Sequence, residues 1–261
     1  MSISISSINY CPVKSVSFQT TKSCEIRKNI GIIGDRIFAF SRGLDFKQAQ
    51  LFEKKLEERR GKWNKILTLK NSPSLNKYNF LFDNNKLILT QNNCEILAIN
   101  TNETDEYELL SNKILELERS LQKPIFLMKN KDTPFFDTSI SNKTVLNHSI
   151  SLLNNKSIED FKNKSNQEIE SQRFRGNICV DGIEAWEERN WIGKVIKIND
   201  ISFKVEKNIP RCVAINLKPN TDDNSLNLLQ SLKKNYNHFD MGVYLTALDS
   251  GLINIGDNIS L

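Results

Sequence analysis

Short runs that alternate apolar and polar residues are the feature that most restricts the fold of this 261-residue chain. Residues 3–5, 37–40, 66–69 and 87–90 each have the length and composition of a β-strand, and glycines or asparagines separate them as turns. Because strands do not alternate regularly with helices along the chain, a doubly wound parallel sheet is disfavoured. We therefore predict a mainly β fold with a few helices, in the α+β class.

A change of hydrophobic period near residue 105 marks the clearest helix. Leu110, Ile114, Leu117 and Leu121 recur every three or four residues, which predicts an amphipathic helix that ends before a Lys-Pro pair. This helix is the best candidate for a joint between two domains, residues 1–104 and residues 105–261. The alternative is one continuous β domain on which the helix packs.

The second half of the sequence shows further strands and short helices. We predict a strand at 177–180, a hairpin over 194–205 with Asn-Asp at its tip, and a strand at 212–217. Ser157, with an acidic residue three positions later, predicts the N-cap of a short helix.

The overall charge is too mild to indicate a nucleic-acid-binding surface. Lysine and arginine number 36 against 31 acidic residues, a formal net charge of +5, and no concentrated basic face stands out. No run is long enough to cross a bilayer, and the first five residues lack the basic and apolar regions of a signal peptide. A cytoplasmic location is the default expectation.

The five cysteines are widely spread, and none of them forms a CxxC pair. This spacing disfavours a disulfide framework or a zinc site, and the two histidines supply a metal site poorly. One cysteine nevertheless stands out, because Cys212 closes the sequence Ile-Pro-Arg-Cys at 209–212. A thiolate is a ligand for soft or high-valent metals, and the neighbouring Arg211 would help to keep it ionised.

A second polar cluster, Arg-Phe-Arg-Gly-Asn, occupies residues 173–177. Arg173, Arg175 and Asn177 lie two apart, so on an extended segment they would face one side. Arginine forks suit phosphate and other planar anions. Both clusters also have ordinary explanations: a lone intracellular cysteine is more often a packing residue, and the arginines fit a solvated strand edge.

Two segments near the N-terminus offer more positive charge. Lys14 and Ser15 follow Tyr-Cys-Pro-Val, and Arg36 ends a Gly-Asp-Arg turn. An ammonium, a hydroxyl and a guanidinium can each bind a phosphate, although a surface loop explains either segment alone.

Taken in order, these motifs resemble those of the MOSC family with its N-terminal β-barrel domain. The order is Pro-Val-Lys-Ser, Gly-Asp-Arg, Arg-Phe-Arg-x-Asn, Pro-Arg-Cys and a terminal Gly-Asp. The pattern covers nearly the whole chain and is similar to that of bacterial MOSC proteins and of the mitochondrial amidoxime-reducing component. The resemblance implies an N-terminal β-barrel-like domain followed by a MOSC β-barrel domain.

The resemblance also implies a molybdenum cofactor, a pterin dithiolene with a terminal phosphate. By this match Cys212 is the catalytic thiolate ligand to molybdenum. The implied cofactor-binding residues are Lys14, Ser15 and Arg36 from the N-terminal domain and Arg175, Asn177 and Arg211 from the MOSC domain. Residues around Ser149 and Ser151 are expected to border the pocket. Gly176 stands where the family usually has proline, which loosens the backbone between Arg175 and Asn177.

The function implied by the resemblance is the two-electron reduction of N-hydroxylated compounds. The sequence contains no four-cysteine cluster motif, so a separate electron donor, a ferredoxin or a flavin reductase, is expected. No general acid is evident, and the acidic residues of 184–188 are candidates by position alone. One alternative is a cofactor carrier or sulfur-transfer module, without the pyridoxal-phosphate domain of a sulfurase. Another is a β-rich binding protein for a different phosphate-bearing ligand.

Overall fold

Strands make up most of the regular structure, and five α-helices accompany them in the residues that the structure describes. The computed structural model describes residues 2–16, 18–59, 61–136 and 148–261, without the side chain of Trp63. The strands are β1 Ile3–Tyr10, β2 Gln19–Thr21, β3 Ser23–Arg27, β4 Gly31–Ile32, β5 Phe38–Phe40, β6 Tyr78–Asp83, β7 Lys86–Gln91, β8 Cys94–Asn100, β9 Leu127–Lys129, β10 Ile150–Asn154, β11 Ile178–Asp181, β12 Val195–Ile198, β13 Ile201–Pro210, β14 Asp240–Ala247, β15 Gly251–Asn254 and β16 Asn258–Ser260. The helices are α1 Phe46–Lys54, α2 Leu56–Arg59, α3 Asp105–Leu117, α4 Asn155–Ser165 and α5 Leu228–Tyr236.

Seven strands close into a barrel in the order β11, β10, β14, β13, β12, β16 and β1. The last strand of this series, β1, pairs with the first, β11, in antiparallel fashion, and only the pair β10 and β11 is parallel. Closure removes the unpaired edges that an open sheet would present. The mainly β, α+β fold and the barrel in the second half of the chain are thus confirmed.

The barrel interior is filled by alternate residues of its strands. On β13 the residues Ile201, Phe203 and Val205 point inward, and Val243 and Leu245 do the same on β14. The two-residue period follows from the pleat, which turns successive side chains to opposite faces. The outer face of the same strands is therefore left for polar groups and for contacts with the first half of the chain.

The first half of the chain forms smaller sheets around a second core. Strands β6, β7 and β8 make an antiparallel meander, β5 pairs with β9, and β3 pairs with β4 and with β15. Helix α3 packs Leu110 and Ile114 into this core, which confirms the predicted amphipathic helix, but it ends at Leu117 and does not include Leu121.

The predicted division at residues 104 and 105 stays a prediction. Strand β1 lies in the barrel with β11 and β16, and β3 pairs with β15. Both ends of the chain therefore contribute to the same body around the barrel.

Two predicted strands are wrong, and a cap is misplaced. Residues 66–69 make only an isolated bridge, between Ser41 and Ile66. Residues Val213–Asn216 form a 3₁₀ helix, which buries Ile215 against α4 and α5 and leaves Cys212 exposed. The N-cap of α4 is Asn154, whose side chain accepts a hydrogen bond from the N–H of Lys156. None of the helices in the described ranges is long and apolar enough to span a membrane.

Gly242 provides a test of how tightly β14 and β10 approach each other. Its φ is +78°, and a Cβ there would lie 2.3 Å from the Leu152 carbonyl oxygen. Gly193 has a similar φ of +83°, but a Cβ there would meet no atom within 4 Å. We expect Gly242→Ala to lower the free energy of unfolding by at least about 3 kcal/mol. Gly193→Ala, which adds only backbone strain, should cost about 1 to 2 kcal/mol.

Urea denaturation of the two variants and the wild type measures both effects. Equal losses at the two positions would contradict the close approach of the two strands.

Candidate functional site

The segment 173–177 is not extended, contrary to the sequence expectation. Residues Ser171–Phe174 form a 3₁₀ helix, and Arg175 follows with a left-handed φ of 50°. Arg173 binds Glu170 at 2.6 Å and the carbonyl oxygen of Asn216 at 2.7 Å. The alternation of residue types does not reveal this helical turn. Through its bond to Asn216, Arg173 holds the segment that follows Cys212 in position.

Arg175 reaches the N-terminal part of the chain instead. Its Nη2 donates to the Cys11 sulfur at 3.1 Å, and its guanidinium lies 5.7 Å from the centre of the Phe18 ring. Burial raises the pKa of the Cys11 thiol, although Arg175 and Arg36 act to lower it. Cys11 is thus a neutral buried partner for a cation.

Gly176 has a steric reason to be glycine here. A Cβ on this residue would lie 2.4 Å from the side chain of Leu153, which packs against the turn. Gly176 replaces the proline that is usual in the family, and the Leu153 side chain fills the space beside Gly176.

Asn177 is buried and its amide is fully engaged inside the protein. Its Oδ1 accepts from the backbone and hydroxyl of Ser151, at 3.1 and 2.8 Å. Its Nδ2 donates to the carbonyl of Asn9 at 3.1 Å and to Asp35 at 3.4 Å. These bonds tie β1, β10 and β11 together, so the Asn177 side chain fixes the positions of these strands relative to one another.

Lys14 and Ser15 follow β1 and lie beside Arg36. Lys14 is 2% exposed, and its backbone N–H donates to the Phe38 carbonyl at 2.8 Å. Ser15 has a left-handed φ of 66°. The N–H of Arg36 donates to the Cys11 carbonyl at 2.6 Å, which joins the two N-terminal motifs.

The Arg36 guanidinium is held between a carboxylate and an aromatic ring. It forms an ion pair with Asp35 and lies 5.2 Å from the centre of the Phe136 ring. Burial acts to lower the pKa of Arg36, but the interactions with Asp35 and other neighbours together outweigh burial, and the pKa is raised. Arg36 therefore remains a cation at any ordinary pH.

Asp35 links the two parts of the site. Besides Arg36 and Asn177, it accepts a hydrogen bond from the N–H of Cys11 at 2.7 Å. The structure thus brings together the segments of Lys14, Arg36 and Asn177, although the contacts of each with a ligand stay a prediction. Asp35 stands in the Gly-Asp-Arg motif, but its connecting role was not predicted.

Arg211 is anchored to the scaffold. Its guanidinium donates to the Phe174 carbonyl at 2.7 Å and, from two nitrogens, to the Met241 carbonyl. Burial lowers the pKa of Arg211 to about 10, which leaves it charged at neutral pH. Phe174 immediately precedes Arg175, and Arg211 immediately precedes Cys212. This anchor therefore brings the Cys212 segment close to the turn at Arg175, and the Cys212 side chain is exposed.

Tyr244, on β14, is a residue of this region that the sequence reasoning missed. Its ring centre lies 5.8 Å from that of Phe136, and its cross-strand partner is Ser151. The alternation of β14 indicates an outward side chain but gives no hint that Arg36 and Phe136 cover it.

Two buried polar atoms lie at the start of β10. The Ser149 hydroxyl and His148 Nδ1 have no hydrogen-bond partner among the described residues. Ser149 was expected to border the pocket, and an unpaired hydroxyl there is able to receive a ligand group.

A cavity of about 110 Å³ lies between the two halves of the chain. Phe18 and Tyr78 line it from the first half, and Arg173, Arg175 and Leu217 line it from the second. Cys212 is not among its lining residues, but the 3₁₀ helix that follows Cys212 contributes Ala214. The cavity therefore adjoins the turn that carries Arg173 and Arg175.

Glu188 is one of the acidic residues that were candidates for a general acid, and it does not line the cavity. It is fully buried and accepts hydrogen bonds from Asn154 at 3.0 Å and from Ser157 at 2.9 Å. These bonds hold the 3₁₀ helix Glu187–Trp191 against α4, so Glu188 is part of the core.

The described ranges contain no group of three or more His, Cys, Asp and Glu side chains able to hold a metal ion.

Comparison with known proteins agrees with the motifs. Residues 139–260 match the family model described as the MOSC domain, so the second half of the chain is similar to that family. Over 72 residues the chain is 33% identical to mitochondrial amidoxime reducing component 2 of Rattus norvegicus. That alignment covers 28% of this chain and 21% of the rat protein.

Two solved structures are similar at low sequence identity. The YuaD protein from Bacillus subtilis is 9% identical, with a TM-score of 0.43 over 99% of this chain and 94% of that one. YiiM from Geobacillus stearothermophilus is 15% identical, with a TM-score of 0.35 over 43% of this chain and 53% of that one.

The anchoring of Arg211 predicts a contrast with its neighbour. Arg211→Ala removes the donors to two carbonyl groups and should lower the free energy of unfolding by about 3 kcal/mol. Cys212→Ala removes an exposed thiol and should change it by less than about 0.5 kcal/mol. Chemical denaturation of both variants tests this, and similar effects at the two positions would contradict the scaffold role.

Glu188 predicts a pH dependence of stability. Burial raises the pKa of Glu188. A carboxyl whose folded-state pKa is raised stabilises fully only below its unfolded pKa, about 4.3, and the contribution is lost as pH rises through the folded value. Glu188→Gln, which stays neutral, should therefore become more stable relative to wild type as the pH is raised from about 4 to 8.

Urea midpoints across this pH range measure the difference, and Glu184→Gln is the control, since Glu184 is 85% exposed. A pH-independent difference between wild type and Glu188→Gln would refute the expectation.

Proposed function

We propose that this protein is a molybdenum-cofactor-dependent oxidoreductase that reduces N-hydroxylated compounds by two electrons. The observation that carries the proposal is that Arg36 and Arg175, from the two halves of the chain, both contact Cys11, while Arg211 anchors the segment that carries the exposed Cys212 thiol. The match to the MOSC domain model and the partial similarity to an amidoxime reducing component support the same chemistry.

The residues present fit a pterin cofactor with a terminal phosphate. The Arg175 guanidinium donates to the sulfur of the buried Cys11, and the backbone N–H of Arg36 donates to the Cys11 carbonyl, so both arginines lie at the same segment. Together with Lys14 and Ser15 they provide the charge and donors that a phosphate requires. The unpaired hydroxyl of Ser149 adds a polar group at the border of β10.

Two residues of the implied cofactor-binding set are better explained as scaffold. Every polar atom of the Asn177 side chain is engaged, and Arg211 holds the carbonyls of Phe174 and Met241. We propose that they fix the positions of Arg175 and Cys212 and so act on the cofactor indirectly.

Cys212 would bind molybdenum through its thiolate, and the bound cofactor would supply the two-electron redox chemistry. The chain itself would bind and orient the cofactor and neutralise its phosphate. The overall reaction converts an N–OH group to N–H and water, with two electrons and two protons. We propose a separate electron donor, a ferredoxin or a flavin reductase.

A cofactor carrier is the second candidate function. The observation that favours it is that Cys212 is exposed and does not border the cavity between the halves. An accessible thiol suits transfer of a cofactor to another protein. A carrier would bind molybdenum and pterin but would not turn over an N-hydroxylated substrate.

The test compares two exposed cysteines in the full chain. Cys212→Ser should lose most of the bound molybdenum and at least about 100-fold in kcat for benzamidoxime with an artificial electron donor. Cys94→Ser changes an exposed cysteine on β8 and should retain both. Metal and pterin analysis, followed by the reduction assay, gives the two readouts.

The outcomes separate the candidates. Molybdenum without turnover in the wild type would favour the carrier. Wild-type protein without molybdenum after expression in a cofactor-producing host would refute both.

A further inference from the structure

Two exposed apolar residues lie at the segment that carries the Cys212 thiol. Val213, the next residue, is 47% exposed, and Phe239 is 42% exposed. Phe239 is held there by its backbone, because its carbonyl accepts a hydrogen bond of 2.9 Å from the N–H of Arg211, the residue before Cys212. Exposed apolar groups that are rimmed by polar residues often mark a contact with another protein.

The C-terminal end of α5 adds positive charge beside Phe239. Lys233 and Lys234 lie in its last turn, both are exposed, and α5 contains no acidic residue. The Lys233 ammonium lies 5.6 Å from the centre of the Phe239 ring and donates to the Asn237 carbonyl at 3.1 Å. Neither lysine forms an ion pair with an acidic side chain among the described residues. We call the surface of Val213, Lys233, Lys234 and Phe239 the α5 face.

The other charged groups next to Phe239 do not cancel this positive charge. Asp240, the following residue, already lies 3.6 Å from the Arg189 guanidinium. Burial lowers the pKa of His238, and Arg189 and Lys233 lower it further, although Asp240 acts in the opposite direction. The cations around His238 therefore outnumber the carboxylates.

Aromatic packing fixes the backbone that carries the α5 face. The ring centre of Tyr236 lies 4.4 Å from that of Trp186, and His238 stacks on Tyr236 at 5.8 Å. The Tyr236 hydroxyl and the Trp186 indole N–H both donate to Asp160 at 2.8 Å. A surface that is already ordered loses little conformational entropy when a partner binds.

We propose that the α5 face is the docking surface for a small acidic ferredoxin that supplies the electrons, an inference that rests on the proposed function. Acidic side chains of the ferredoxin would complement Lys233 and Lys234. The exposed apolar area is small, which suits a weak contact that forms and dissociates for each electron. Two reduced ferredoxins each lose one electron per turnover, and the N–OH group takes up two electrons and two protons to become N–H and water.

The first test reverses the charge of the α5 face in the full chain loaded with molybdenum cofactor. The probe is an acidic [2Fe–2S] ferredoxin, kept reduced by its NADPH-dependent reductase, with benzamidoxime as the substrate. Lys233→Glu/Lys234→Glu should raise the KM for ferredoxin at least about tenfold at about 50 mM salt, and by much less at about 500 mM. With reduced methyl viologen, which needs no docking surface, kcat should stay within about twofold of wild type.

The matched control is Lys54→Glu/Lys55→Glu, which reverses an adjacent pair of exposed lysines at the end of α1. This variant should keep the wild-type kinetics with both electron donors. Calorimetric titration with oxidised ferredoxin provides a readout without turnover. Its Kd should rise about tenfold for the Lys233→Glu/Lys234→Glu protein at low salt and stay unchanged for the control.

A second variant tests the apolar part of the α5 face. Phe239→Ser should raise the Kd for ferredoxin about fivefold, by a factor that salt does not change, because it removes apolar contact and no charge. Phe46→Ser removes a ring on α1 that is 59% exposed and should leave this Kd unchanged.

Equal Kd and KM values for the two lysine variants would overturn the inference. A wild-type protein that works with methyl viologen but neither binds ferredoxin nor accepts its electrons would overturn it too, as expected if the donor is a flavin reductase. A parallel loss of kcat with methyl viologen would assign the two lysines to the active site and contradict the docking role. A wild-type protein without molybdenum overturns the proposed function, whereas ferredoxin binding that depends on Lys233 and Lys234 would still support the docking surface.

Discussion

The pairing of β1 with β11 and β16 determines where the rest of the site lies. Strand β1 is part of the closed barrel, and the chain passes from Tyr10 directly into the segment that carries Lys14 and Ser15. Asp35 then accepts hydrogen bonds from Cys11 and Asn177, and it binds Arg36. Because strand pairing positions one end of this network and a buried carboxylate the other, the cationic side chains have little freedom to separate.

Positive charge in this region has two different uses. Arg173 and Arg211 bind backbone carbonyls and an acidic partner, and in this way they hold the turns on either side of the thiol. Arg36 and Arg175 instead contact side chains of the N-terminal segments, Asp35 and Cys11 respectively. A pattern of arginines in a sequence therefore overstates how many of them are available to a ligand.

The sequence is most informative where local pattern and burial agree. The hairpin of β12 and β13 and the helix α3 follow from alternation and from a three-to-four spacing, because each buries one face of a regular element. Residues 66–69 and 212–217 have the composition of strands, but neither continues a sheet. The 3₁₀ helix at Val213–Asn216 depends on burying Ile215 against distant helices, which no local pattern encodes. Tyr244 was missed for a similar reason, since Phe136, which packs against its ring, is distant from it in the sequence.

The closed barrel also has a consequence for biosynthesis. Ile3 is opposite Ile259, so two strands that are far apart in the sequence pair with each other. Contacts of such long range slow folding, and domains generally fold as units during synthesis. Here the barrel cannot close on the ribosome before β16 has emerged. Until then β1 presents an unpaired edge, which makes the nascent chain a natural client for a chaperone.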